Sequence, residues 1–162
     1  MPLSEVGVPA PIRLAHELAP ALGGLSWGVG GSALLWRLGL ETAPRDLDIV
    51  VAPEHAEEAA AALDGRLERL PRPAHADYAS ETFIRYRSPL GVELDLMAGI
   101  AVRRGDALLR WRFDPARVDR LDGLPFMAAE DWLALYRMFD RPARVSRLAA
   151  YLGLPDQGSS MM

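Results

Sequence analysis

Two aspartates one residue apart, Asp46 and Asp48, follow a glycine-rich turn in this chain. Successive side chains alternate sides along a β-strand, so carboxylates at i and i+2 point the same way and can hold a hard divalent cation. The turn itself, Gly30-Gly31-Ser32, opens a helical segment. Backbone N–H groups and the helix dipole at such a position suit a polyphosphate. A phosphate-binding turn and metal-binding carboxylates in one unit predict nucleotide chemistry.

Three elements must position these residues. The sequence predicts a short apolar strand over residues 25–29, a helix over 32–38 and a second strand over 46–51. On the second strand, alternation places the two aspartates on one face and apolar residues on the other. The apolar face consists of Leu47, Ile49 and Val51.

A predicted hairpin further along the chain carries more charge. Strands over residues 81–88 and 92–97 flank a turn, and the second strand presents Asp95 on its polar face. On the first strand, Arg85 and Arg87 share one face, where an arginine could neutralise a triphosphate. The alternative is an ordinary charged strand face that pairs with Glu81 or Glu93, and the sequence leaves both open.

The remaining segments complete one α/β domain over residues 1–153, with a short disordered tail at 154–162. Helical periodicity covers 11–22, 53–70 and 128–139, and a last helix follows Pro142 to about Leu152. Short extended pieces are predicted near residue 102, at 108–113 and at 118–125.

Composition narrows the class of protein. Half of the 162 residues are hydrophobic and a quarter are charged, which is typical of a globular domain. No apolar run approaches the roughly 18–20 residues of a membrane span, and the N-terminus lacks the pattern of a signal peptide, so we expect a cytoplasmic protein. Cysteine is absent, which excludes disulfides and thiolate metal sites. All 18 basic residues are arginine, and the net charge of −4 disfavours broad binding to nucleic acid.

The turn, the Asp-x-Asp strand and the later Asp95 together resemble the DNA polymerase β-like nucleotidyltransferase superfamily over about residues 20–150. The resemblance implies a mixed central sheet flanked by helices, with the C-terminal helices packed on it. It also implies transfer of a nucleoside monophosphate (NMP) from a nucleoside triphosphate (NTP) to a hydroxyl group, with Mg²⁺ or Mn²⁺ as cofactor.

Residue roles follow from the same resemblance. Asp46 and Asp48 would contact both metal ions. Asp95 would bind only the ion on the nucleophile side and accept the hydroxyl proton. Gly31 and Ser32 would hold the β- and γ-phosphates of the NTP.

Within the superfamily, the chain looks most similar to the small abortive-infection and toxin–antitoxin nucleotidyltransferases. Residues 29–35, 45–49 and 124–144 carry this likeness. Those relatives tend to have a helix lysine where this chain has Tyr136, and Lys-Asp where it has Ala143-Arg144. The missing cation has two possible meanings. Arg137 or Arg141 could bind the nucleotide in its place, or the chain could have lost activity while it kept the metal-binding aspartates.

Two questions stay open at this stage. The acceptor could be a small molecule, a tRNA 3′ end or a protein side chain. The chain could also be a non-catalytic nucleotide- or partner-binding module, such as one half of a two-component system with a helical protein partner, and it could form a homodimer.

Overall fold

The computed structural model describes residues 7–71 and 77–156, which form five α-helices and nine strands. The helices are α1 (Ala10–Leu18), α2 (Gly31–Arg37), α3 (Ala56–Asp64), α4 (Ala129–Met138) and α5 (Pro142–Leu152). The strands are β1 (Trp27–Gly30), β2 (Asp46–Val51), β3 (Glu68–Leu70), β4 (Thr82–Arg87), β5 (Glu93–Ala98), β6 (Ala101–Arg104), β7 (Ala107–Arg110), β8 (Asp119–Leu121) and β9 (Leu124–Phe126). Single 3₁₀ turns lie at Pro53–His55 and Pro115–Arg117.

Seven of these strands form a mixed sheet in the order β3-β4-β5-β2-β1-β9-β8. The central pair β2 and β5 is parallel, as is the pair β1 and β9, and the other neighbours are antiparallel. Strands β6 and β7 form a separate two-stranded sheet. The expected mixed sheet with flanking helices is confirmed.

Burial fixes the register of the central strands. Leu47 and Ile49 on β2 are fully buried, and so are their partners Leu94 and Leu96 on β5. A shift of either strand by one residue would bury its acidic face instead, which costs several kcal/mol for each unpaired charge. The predicted alternation is therefore confirmed on both strands.

Two predicted helices are too long. Helix α1 ends at Leu18 rather than at residue 22, because Pro20 has no N–H to continue the helical hydrogen bonds. The helix predicted over 53–70 ends at Asp64, and Glu68–Leu70 forms strand β3. Pairing of this segment with Arg85–Arg87 of β4 overrides its local helical periodicity.

The extended piece predicted at 118–125 is a hairpin rather than one strand. The chain reverses at Asp122-Gly123, where both residues have positive φ angles of 53° and 82°. Asp-Gly favours a tight turn of this type, so the sequence carries the signal that the single-strand prediction overlooked. The extended pieces near 102 and 108–113 correspond to strands β6 and β7.

Residues 1–6, 72–76 and 157–162 lie outside the described residues. They include the first residues of the domain predicted at 1–153 and most of the tail predicted at 154–162. The first tail residues contact α5: the Leu154 N–H donates to the Ala149 carbonyl at 2.8 Å, and the Ser146 hydroxyl lies 2.8 Å from an Asp156 carboxylate oxygen. Among the described helices, none is both long and apolar enough to cross a bilayer.

Candidate active site

Four residues form one row across the centre of the sheet. Gly30 at the end of β1 pairs with Asp48 on β2, Asp48 pairs with Asp95 on β5, and Asp95 pairs with Arg85 on β4. Residues paired across neighbouring strands project to the same face. The two carboxylates and the guanidinium therefore share one face of the sheet, as their spacing in the sequence predicts.

A second row runs beside the first, two residues away. Asp46 on β2 pairs with Glu93, Glu93 pairs with Arg87, and Arg87 pairs with Glu68 on β3. The exposed Arg87 guanidinium lies 3.9 Å from a Glu68 carboxylate oxygen, near the edge of the sheet. Of the two arginines predicted to bind phosphate, Arg87 thus lies in the charged strand face that the sequence left as the alternative.

Arg85 holds Asp95 with both ends of its guanidinium. Its Nε lies 2.8 Å from Asp95 Oδ1, and one terminal nitrogen lies 3.2 Å from Oδ2. The Asp95 side chain is only 18% exposed and that of Arg85 31% exposed. A bidentate, partly buried pair of this kind has a well-defined geometry, so any cation that binds Asp95 must compete with Arg85.

The glycine turn fits closely against Asp48. Gly31 has a φ angle of +60°, and a Cβ atom on it would lie 1.9 Å from Asp48 Oδ2. A Cβ atom on Gly30 would lie 1.8 Å from Nε1 of Trp132 on α4. The Ser32 hydroxyl donates to the Asp46 carbonyl at 3.3 Å, which ties the turn to β2. Both glycines are therefore required sterically, whatever the turn binds.

The carboxyl groups of the site are electrostatically strained. Burial, followed by the charges of Asp95 and Asp46, raises the pKa of Asp48 to about 7. Burial also raises the pKa of Asp46, with Glu93 and Asp95 adding to the shift. An aspartate with a raised native-state pKa loses native stability as pH rises from about 4 towards 7, because ionisation is easier in the unfolded chain. A cation at these carboxylates would offset this loss.

Helices α4 and α5 enclose these residues in a cleft of about 190 Å³, which we call the aspartate cleft. Its charged lining consists of Asp46, Asp48, Asp95, Arg85, Arg141 and Arg144. Its apolar and aromatic lining consists of Tyr78, Phe83, Met97, Trp132, Tyr136 and Phe139. Three carboxylates and three arginines thus share the cleft with five aromatic side chains.

Arg144 and Tyr136 are two of the positions at which the sequence differs from the abortive-infection and toxin–antitoxin nucleotidyltransferases. An Arg144 terminal nitrogen donates to the Tyr136 hydroxyl at 3.3 Å, and the guanidinium carbon lies 5.8 Å from the ring centroid. Burial raises the pKa of Tyr136, so its hydroxyl stays protonated at neutral pH. Arg137 instead donates to the Pro155 carbonyl at 2.9 Å. Of the arginines in α4, α5 and the segment between them, Arg141 and Arg144 line the cleft.

The aromatic wall is the part of the cleft that sequence reasoning missed. Tyr78 lies 5.5 Å from Phe139 and 6.2 Å from Phe83, measured between ring centroids. Phe83 shares a predicted strand face with Arg85, so alternation alone could have placed it beside the site. Phe139 belongs to the apolar face of a helix, which the sequence does not distinguish from core.

The donor set of the cleft fits a hard divalent cation. Carboxylate oxygens are the ligands that Mg²⁺ and Mn²⁺ prefer. Burial, followed by the charges of neighbouring carboxylates, raises the pKa values of Asp46 and Asp48. In the described residues, no three acidic or histidine side chains form a ready-made metal site. Both oxygens of Asp95 accept hydrogen bonds from Arg85.

Comparison with solved structures supports this architecture. The chain superimposes on TM1012 from Thermotoga maritima, itself a candidate nucleotidyltransferase, with a TM-score of 0.66 and 20% identity. The match covers 90% of this chain and 96% of that one. ANT(2″)-Ia, solved in complex with adenylyl-2″-tobramycin, matches with a TM-score of 0.54 and 16% identity over 86% of each chain. The chain has the nucleotidyltransferase fold.

Sequence comparison adds no family assignment, since no protein-family profile and no curated protein matches the chain. The fold implied by the Gly-Gly-Ser and Asp-x-Asp motifs is thus confirmed by structure. The finer likeness to abortive-infection and toxin–antitoxin proteins stays a prediction from sequence.

The close approach of the turn to Asp48 gives a first prediction. Replacing Gly31 by alanine adds a methyl group against the Asp48 carboxylate and also strains a left-handed backbone. We expect the free energy of unfolding to fall by about 2–4 kcal/mol, measured by urea denaturation. The control is Gly39→Ala, where φ is +80° but nothing lies within 4 Å, with an expected loss of about 1 kcal/mol. Equal losses in the two variants would show that the turn does not press on Asp48.

The Arg85–Asp95 pair gives a second prediction. In Arg85→Gln, we expect a lower melting temperature without metal, because Asp95 loses its cation beside Asp48. Apparent Mn²⁺ affinity should rise roughly tenfold, since the metal no longer displaces a charged hydrogen-bond partner. Thermal denaturation over a Mn²⁺ titration measures both effects. Arg87→Gln, which removes the same charge two residues along β4, should leave Mn²⁺ affinity unchanged. If Arg85→Gln behaves like Arg87→Gln, the carboxylate of Asp95 takes no part in metal binding.

Proposed function

We propose that this protein transfers an NMP group from an NTP to the hydroxyl group of an acceptor. One observation carries the proposal: Asp46, Asp48 and Asp95 lie on the adjacent parallel strands β2 and β5 and line one cleft. The glycine turn abuts Asp48 at that cleft. The fold supports it, because ANT(2″)-Ia, which shares this fold, is held in complex with an adenylylated compound.

The three aspartates would hold Mg²⁺ or Mn²⁺. A pair of such ions, when bound, stabilises the attacking and leaving oxygens of an in-line displacement. The contribution of the chain itself is to hold the carboxylates together on one face of the sheet before any ligand binds. The raised pKa values of Asp46 and Asp48 indicate that this arrangement favours uptake of positive charge.

The cleft also supplies groups for the nucleotide. Arg144 places a cation near Asp48, and we propose that it contacts the triphosphate together with the backbone N–H groups of Gly31 and Ser32. The Ser32 hydroxyl already donates to the Asp46 carbonyl, so its contribution is to fix the turn. The wall formed by Tyr78 and Phe139 offers apolar surface for the base of the nucleotide.

In the proposed reaction, the acceptor oxygen forms a bond to the α-phosphorus and the bond from that phosphorus to the β-bridging oxygen breaks. Pyrophosphate leaves, and the hydroxyl proton passes to a carboxylate of the cleft. Each Asp95 oxygen accepts one hydrogen bond from Arg85 and keeps a second lone pair, so Asp95 can accept this proton while it remains paired.

A second candidate function is a nucleotide- or partner-binding module that retains the fold without catalysis. The bidentate Arg85–Asp95 pair favours it, because an arginine in place of a metal ion could hold the cleft permanently closed to cations. The two candidates differ in turnover rather than in nucleotide binding.

Pyrophosphate release separates the candidates. Wild-type protein, Asp48→Asn and Asp106→Asn are incubated with ATP, CTP, GTP or UTP and Mg²⁺ or Mn²⁺. We expect wild type and Asp106→Asn, whose change lies in an exposed turn between β6 and β7, to release pyrophosphate at similar rates. Asp48→Asn should be at least about 100-fold slower, a loss of about 2.7 kcal/mol in transition-state stabilisation. Equal rates in all three proteins would contradict the proposal, and NTP binding without turnover in wild type would favour the second candidate.

A further inference from the structure

A second cavity of about 470 Å³ adjoins the aspartate cleft. The two share Tyr78, Phe139 and Arg141 as lining residues, so they are neighbouring parts of one depression. We call the second part the arginine groove, because Arg103 and Arg104 of β6 line it together with Arg141. A molecule bound in the groove can extend a group into the aspartate cleft past the side chains that both share.

The cations of the groove form no salt bridge with a carboxylate of the described residues. Within residues 7–71 and 77–156, no carboxylate lies within 4.0 Å of the guanidinium nitrogens of Arg103, Arg104 or Arg141. Asp77 and Asp140 also line the groove, which leaves an excess of one positive charge. Unpaired guanidinium groups at the mouth of an acidic cleft are suited to an anionic ligand.

The three arginines differ in how they are held. Arg104 donates to the carbonyls of Arg137 and Met138, the last residues of α4, which fixes its side chain at the groove. Carbonyls at a helix C-terminus attract cations, so this contact is structurally stable. Arg103 and Arg141 have exposed side chains that make no such contact with the described part of the chain, so a ligand can reach them.

We propose that the arginine groove binds the phosphate group of a small phosphorylated acceptor, whose free hydroxyl reaches the aspartate cleft. This inference rests on the proposed function and names the class of its acceptor. The cavity has the size of a site for one small molecule. In the reaction, the acceptor hydroxyl oxygen bonds to the α-phosphorus of the NTP, the bond from that phosphorus to the β-bridging oxygen breaks, and pyrophosphate leaves. The hydroxyl proton passes to a carboxylate of the aspartate cleft. The phosphate of the acceptor stays on Arg103 and Arg141 and takes no part in bond exchange.

Ribose 5-phosphate serves as the probe, with ribose as its uncharged counterpart. Calorimetry without NTP or metal is expected to show binding of ribose 5-phosphate but not of ribose. Arg103→Gln should weaken that binding at least fivefold. Arg66→Gln, an exposed arginine of the α3–β3 turn that removes the same charge, should leave it unchanged. Equal binding by wild type and Arg103→Gln would overturn the proposal, as would equal weakening in both variants, and melting temperatures verify that each variant is folded.

Three further arms make the result specific. Repeating the titration on Asp48→Asn, in which transfer is expected to fail, should still show ribose 5-phosphate binding, so loss of catalysis and loss of the groove are distinguishable. Weakening by Arg144→Gln but not by Arg103→Gln would place the phosphate in the aspartate cleft and overturn the assignment. Arg103-dependent binding of a ten-nucleotide oligoadenylate, with no binding of ribose 5-phosphate, would overturn it in favour of an RNA acceptor.

Discussion

Repulsion between carboxylates is the interaction on which the rest of this structure depends. Asp48 and Asp95 pair directly across β2 and β5, with Asp46 two residues away on the same face. Their leucine and isoleucine neighbours are fully buried, so the strands cannot shift to separate the charges. Burial, followed by this repulsion, raises the pKa values of Asp46 and Asp48. Arg85 offsets part of the repulsion by binding Asp95. The site therefore keeps negative charge that the chain does not fully compensate. In the proposed function, divalent metal ions bound with an NTP would compensate it.

Close packing transmits this arrangement to the helices. Trp132 of α4 occupies the space that a Cβ atom on Gly30 would need, and Asp48 occupies the corresponding space at Gly31. Trp132 also meets Tyr136 edge to face at 5.3 Å, and Tyr136 accepts a hydrogen bond from Arg144 on α5. One continuous set of contacts therefore runs from the glycine turn to the arginine of the cleft. A substitution in the turn is therefore expected to shift the side chains of both Asp48 and Arg144.

Predictions from the sequence were correct where the local pattern of polar and apolar residues allowed only one arrangement. Strand alternation placed Asp46, Asp48 and Asp95 on one polar face because only the opposite face could be buried. It failed where tertiary pairing decided: Glu68–Leu70 has helical periodicity but forms β3, and the alternation of β4 could not tell whether Arg87 faces a ligand or Glu68. The contributions of Arg144, Tyr78 and Phe139 depend on how the helices and the segment before β4 close over the sheet. Residue spacing along the chain contains no information about that closure.

The central claim is that three aspartates of this cleft hold a pair of divalent cations with a nucleotide. Electron paramagnetic resonance of the protein with Mn²⁺ and a non-hydrolysable NTP analogue tests it most directly, because two ions about 3.5–4 Å apart are magnetically coupled. The account predicts two bound Mn²⁺ ions per chain with the spectrum of a coupled pair, and loss of the coupling in Asp95→Asn. A spectrum of isolated Mn²⁺ ions, or an unchanged coupled spectrum in Asp95→Asn, would contradict it.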